Sequence, residues 1–196
     1  MKLMDNGTYL SEYRFTDGNL IILYALHNQH SSKRNGIPDY IDERVKLCIE
    51  TYRITVQSRP DGNKTTILIV GRQSDIKYIT EILTKAGVDP KIVTGDYQSK
   101  NVFQCFDRVK DIIKTRANPP YLYFIGSVWL KEIYDTVVVS RMKGYRVQFE
   151  GALDHRPVRE VEEEKALNAP KRGLEHYKRK AKDKAIDLVL NRMFPE

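Results

Sequence analysis

The stretch NLIILYAL, residues 19–26, decides how the rest of the chain is read. Leu20 to Leu26 is apolar without a break, rich in Ile and Leu, and carries no alternating polar face. Such a run fits a strand buried on both faces, which is the signature of a parallel sheet covered by helices on each side. TTILIV (65–70) and YLYFIG (121–126) read the same way, and KIVT (91–94) and YRVQFE (145–150) supply two more strands. The unbroken runs of residues 20–26, 66–70 and 121–126 belong in the middle of the sheet.

Between the strands the period changes to that of a helix. Ile41, Val45, Cys48, Ile49 and Tyr52 fall on one helical face within residues 40–56. Ile76, Ile79, Leu83 and Ala86 do the same ahead of Gly87, as do Val102, Phe106, Val109 and Ile113 in the next segment. A fourth helical segment runs from Val128 to Gly144, and the turn-forming clusters RPDGN (59–63) and NPP (118–120) break the chain just ahead of two strands. Strands alternating with helices at this spacing predict βαβ units, hence a Rossmann-like three-layer α/β sandwich around a mainly parallel five-stranded sheet. The expected organisation is an α/β core over residues 1–151 and a helical extension over 152–196. That extension is interrupted at NAPKRG (168–173), and its last part sets Ala185, Leu188, Val189 and Met193 on an apolar side that docks on the core.

Composition sets the outer bounds. The 196 residues are 41% hydrophobic and 30% charged, the balance of a chain that folds by itself. The longest apolar run falls far short of the roughly 20 residues that cross a bilayer. MKLMDNGTYL places Asp5 where a signal peptide would have its apolar core, so a cytoplasmic location is expected. Cys48 and Cys105 lie in separate helical segments with no Cys-x-x-Cys, which predicts buried thiols rather than a disulfide framework or zinc ribbon. The formal net charge of +7 has a local source: KRGLEHYKRKAKDK (171–184) carries seven Lys or Arg against two acids. Lys171, Arg172, Lys178, Arg179 and Lys182 would let this segment contact the phosphates of a nucleic acid, or an acidic partner. A solvated helix face balanced by the acidic block Glu160 to Glu164 accounts for the same residues.

In an open parallel sheet, ligands sit beyond the carboxyl ends of the strands. The loops there are HNQHSSKRNGIPD, GRQSD, GDYQSKN and GSVW, and each offers Gly or Ser just before a helix, where backbone N–H groups and the helix dipole favour an anion. Walker, GxGxxG and GxSxG motifs are missing from the sequence. His27 and His30 make half of a metal site without a companion ligand at zinc spacing.

The order of these motifs resembles the SanA/ElyC/YdcF family of α/β domains, over about Leu20 to Glu150. Glu43 and Arg44 match the family's Glu-Arg pair, and Gly71 with Ser74 and Asp75 looks like its Gly-loop and Ser-Glu-Ala segment. AGVDPKIV follows where the family has Gly-Val-Pro, Ser99 and Asn101 in SKNVFQC align with its Ser-x-Asn signature, and Ser127 in GSVW opens its last loop. Val102, Gln104 and Cys105 replace the family's Thr, Glu and Asn, and its His and Arg are missing around Leu130 and Ile133. The resemblance implies a small nucleotide-like or phosphorylated ligand at the carboxyl edge of the sheet. S-adenosylmethionine is a candidate, and the retained residues suit binding rather than catalysis. Arg44, Gly71, Ser74, Asp75, Ser99, Asn101 and Ser127 are the expected ligand-binding set. Asn101, a mediocre helix former in a first turn, suits contact with a ligand or a neighbouring loop, while several others have a structural reading too. Ser74 and Ser99 suit helix N-caps, Arg44 suits a surface pair with Asp42 or Glu43, and Trp129 suits a core cover as well as a base-stacking platform. A scaffold with a degenerate pocket is the third functional class.

Overall fold

A computed structural model describes residues 18–27, 36–58, 64–114 and 120–168. Five strands, β1 (Leu20–Tyr24), β2 (Thr66–Val70), β3 (Val93–Asp96), β4 (Tyr121–Ser127) and β5 (Arg146–Ala152), form one sheet. All four pairings are parallel, in the order β3-β2-β1-β4-β5. The helices are α1 (Asp39–Ser58), α2 (Gln73–Lys85), α3 (Val102–Ile113), α4 (Lys131–Arg141) and α5 (Val158–Asn168). The expected α/β sandwich is therefore the observed one, and the three unbroken apolar runs are its three central strands.

Alternation along each strand divides the core into two layers. Ile21, Leu23, Ile67, Ile69 and Ile125 face α1 and α2 through Ile41, Val45, Cys48, Ile79 and Leu83. Leu20, Ile22, Tyr24, Leu68, Val70 and Phe124 face α3 and α4 through Val102, Phe106, Val109, Tyr134 and Val137. The change of face follows from the strand order: the chain steps outward through β2 and β3, then returns to the other side of β1. A right-handed crossover travelling in the opposite direction must run over the opposite face. Both thiols are buried, and burial pushes Cys48 up to about 12 and Cys105 well above its ordinary value. They are packing residues, as expected.

One strand is displaced from its expected position. Pro90–Ile92 form a 3-10 turn in which the Asp89 side chain accepts from the Lys91 N–H, so β3 starts at Val93 and takes in Gly95 and Asp96. Gly95 is needed there for space, since a Cβ would lie 2.7 Å from Ile76 Cγ2. At the other edge β5 is half-exposed, and the Tyr134 hydroxyl donates to the Val147 carbonyl at 2.9 Å. No helix among the described residues is long and apolar enough to cross a membrane. The expected docking positions Ala185, Leu188, Val189 and Met193 lie outside the described residues, as do His30 and the basic positions Lys171, Arg172, Lys178, Arg179 and Lys182.

Candidate functional site

The strand order reverses between β1 and β4, and the crevice beyond their carboxyl ends is where such sheets bind ligands. α1 delivers Arg44 to this point. The residue is fully buried on the inward side of α1 and does not pair at the surface with Asp42 or Glu43, both of which meet Lys46. Instead Arg44 Nη1 donates to the Tyr24 carbonyl at 2.8 Å, at the end of β1. Its Nε and Nη2 donate to Ser127 Oγ, at the end of β4, at 3.0 and 2.7 Å. Two residues of the expected set thus meet across the switch point.

Ser127 Oγ in turn donates to Asp154 Oδ2 at 2.7 Å, so its one donor and two acceptor positions are all used. Asp154 follows β5 and also accepts from Trp129 Nε1 at 3.0 Å and from Arg156 Nε and Nη2 at 2.9 and 2.7 Å. Burial opposes its charged form. The hydrogen bonds from Arg156 and Ser127 and the Arg156 charge outweigh that, holding the carboxyl well below the usual carboxylate range. Arg156 lies 3.4 Å over the Tyr40 ring, with Arg44 5.1 Å from the same ring. Trp129 is half-buried against the core, with its indole N–H turned to the site.

α5 closes the group from outside. Glu164 Oε2 lies 2.6 Å from Arg156 Nη1, and Oε1 lies 3.6 Å from Arg44 Nη2. One turn on, Asn168 Oδ1 accepts from the Tyr24 hydroxyl at 2.5 Å and from the Val102 N–H at 3.2 Å. Desolvation raises Tyr24 well above the ordinary tyrosine value, which keeps that hydroxyl a donor.

A second polar group sits at the carboxyl ends of β1 and β2. His27 Nε2 meets Asp75 Oδ2 at 3.0 Å with both side chains buried, and Ser74 Oγ donates to Asp75 Oδ1 at 3.2 Å. Ser74 is therefore not the N-cap of α2. That position belongs to Arg72, whose guanidinium reaches the His27 carbonyl at 3.3 Å. The Gly71 N–H is engaged by the Asp96 carbonyl at 3.0 Å.

The stretch GDYQSKN forms a third group, built on local bonds. Asp96 Oδ1 accepts from the N–H groups of Gln98 and Ser99, and Ser99 Oγ donates to Asp96 Oδ2 at 2.5 Å. Asn101, not Ser99, is the N-cap of α3: its Oδ1 accepts from the Gln104 N–H at 2.9 Å, while Gln104 Oε1 accepts from the Lys100 N–H at 2.8 Å. This is close to a capping box, with the return bond taken from the residue before the cap. With Asn168 on the Val102 N–H, the first turn of α3 has internal acceptors for donors that the sequence offers to an anion.

Asp154, Arg156, Glu164, Tyr24 and Asn168 carry as much of the switch-point geometry as Arg44 and Ser127, and sequence reasoning missed all five. Only the i, i+4 spacing of Glu164 and Asn168 hinted that one side of α5 turns inward. Among the described residues, no group of three or more His, Cys, Asp or Glu is placed to hold a metal ion. No protein-family model matches the chain, and neither a curated protein nor a solved structure matches it.

Proposed function

We propose that the chain is a YdcF-like binding domain that holds a small nucleotide-like or phosphorylated ligand at the carboxyl ends of β1 and β4. The observation that carries this reading is Arg44: a fully buried guanidinium at the topological switch point, forked onto the Ser127 hydroxyl, with Arg156 beside it on the Tyr40 ring. Two guanidiniums, one of them oriented by the Ser127 hydroxyl, form a donor set matched to phosphoryl or carboxylate oxygens, which take forked N–H donors in charge-assisted bonds. Beyond the neighbouring strand end, Asp75 in the first turn of α2 is an acid of the kind that takes ribose hydroxyls in dinucleotide-binding sheets, and a ribose there would replace Ser74 on its Oδ1. S-adenosylmethionine fits the same chemistry, with a carboxylate for the arginines and a ribose for Asp75.

The test is calorimetric titration of S-adenosylmethionine and of ATP into the wild-type chain and into Ser127→Ala, a change that keeps Arg44 on the Tyr24 carbonyl. At least one of the two ligands should bind the wild type, and Ser127→Ala should weaken it about tenfold, because the Arg44 guanidinium loses the hydroxyl that orients it. Equal affinity for both proteins, or no binding of either ligand, rejects the reading.

A further inference from the structure

We infer that the Glu164 carboxylate is an internal occupant of the anion position between Arg44 and Arg156, and that α5 is a lid displaced when a phosphoryl-bearing ligand takes its place. The inference rests on the reading of the switch point as a ligand site. It adds which ligand group goes where and what must move.

Glu164 is 2% exposed, and its carboxylate is matched unevenly: Oε2 is close to Arg156, whereas Oε1 stays beyond hydrogen-bonding distance of Arg44. It sits in charge contact with two guanidiniums, at 2.6 and 3.6 Å, without the forked geometry that carboxylates and guanidiniums adopt when free to align. A terminal phosphoryl group has three oxygens and up to two charges, and it can satisfy both arginines at once. The internal carboxylate therefore fills the position imperfectly, and a better-matched anion can replace it.

The way α5 is attached supports exchange. Among its described side chains the buried ones are Glu164 and Asn168, both polar, while Val158 is 76% exposed. Its other ion pairs, Arg159 with Glu163 and Lys165 with Glu162, lie along the helix itself and do not tie it to the core. The other four helices bury apolar side chains against the sheet. Among the described side chains, α5 meets the core through a charge contact and through the bonds of Asn168 to Tyr24 and Val102, both of which water and a ligand can take over.

Inorganic pyrophosphate is a suitable probe, titrated into the full chain as wild type, Glu164→Gln and Asn168→Ala. Glu164→Gln removes the competing charge and keeps the shape. Asn168→Ala loosens the lid without touching either arginine, and thermal melts report that each variant is folded. Both variants should bind pyrophosphate about tenfold more tightly than wild type, because the closed lid lowers the binding-competent fraction. In the wild type, hydrogen exchange at residues 158–168 should accelerate when pyrophosphate is added. Equal affinity in all three proteins with unchanged exchange overturns the lid and leaves the ligand site standing. Absence of binding in all three overturns both.

Discussion

Replacing Arg44 by Met keeps most of the side-chain volume and removes the guanidinium from the centre of the switch point. Three hydrogen bonds disappear, to the Tyr24 carbonyl at 2.8 Å and to Ser127 Oγ at 3.0 and 2.7 Å, together with the 3.6 Å contact to Glu164. Ser127 still donates to Asp154, and Glu164 keeps Arg156, so the damage concentrates on the Tyr24 carbonyl and on a buried carboxylate half stripped of its counter-charge. Removing one partner of a buried pair costs about 3–5 kcal/mol. That is a large share of the roughly 5–15 kcal/mol that holds a domain together. The measurement is urea unfolding followed by circular dichroism, comparing midpoints at equal slope. Glu164→Leu and the double variant complete a cycle, whose coupling energy should be about 0.5–3 kcal/mol for residues sharing one network. A loss below about 1 kcal/mol in Arg44→Met would show that the cost of burying the guanidinium cancels its contacts. Zero coupling in the cycle would show that Glu164 does not interact with it.

The depressed Asp154 carboxyl sets an acid limit. Its folded-state value lies below the unfolded one, so its contribution is present above the ordinary carboxylate range and is lost as pH falls through about 4 toward the depressed value. Unfolding free energies from pH 7 to 3 should fall less steeply for Asp154→Asn than for wild type, and parallel profiles would contradict the assignment. Asn101→Ala removes the α3 cap and should lower stability by about 1 kcal/mol; an unchanged urea midpoint would mean that the Gln104 N–H finds another acceptor.

The sheet was legible because burial on both faces leaves a mark that needs no partner: Leu20 to Tyr24, Thr66 to Val70 and Leu122 to Ile125 are apolar at every position but Thr66. β3 was legible only in part, since Thr94, Gly95 and Asp96 carry no such mark and the Pro90 turn took the residues expected to start it. Of the site, Arg44 and Ser127 could be picked out as residue types at the right loops, but not paired, because 83 positions separate them. Asp154, Arg156 and Glu164 were hidden for a different reason. They stand among charged neighbours in a segment that reads as a solvated surface, and only the fold reveals that Glu164 alone of the block Glu160 to Glu164 is buried. The stretch GDYQSKN shows what sequence leaves open in the opposite sense: many of its polar groups bond to one another and to the start of α3, pairings that composition does not reveal.

The bond between the Tyr24 hydroxyl and Asn168 spans 144 positions of chain, which bears on how the protein is made. Ribosomes release a chain from its N-terminus at about 5–20 residues per second, so every strand of the sheet emerges before Asn168 does. During that interval Tyr24 can pack with Phe124, at 5.7 Å between ring centroids, while its hydroxyl waits for an acceptor. Contacts of such long sequence separation are rewarded only after the intervening loops have closed. Tyr24 and Asn168 cannot meet until all five strands have been synthesised, so this bond is out of reach of any nascent chain that ends before α5.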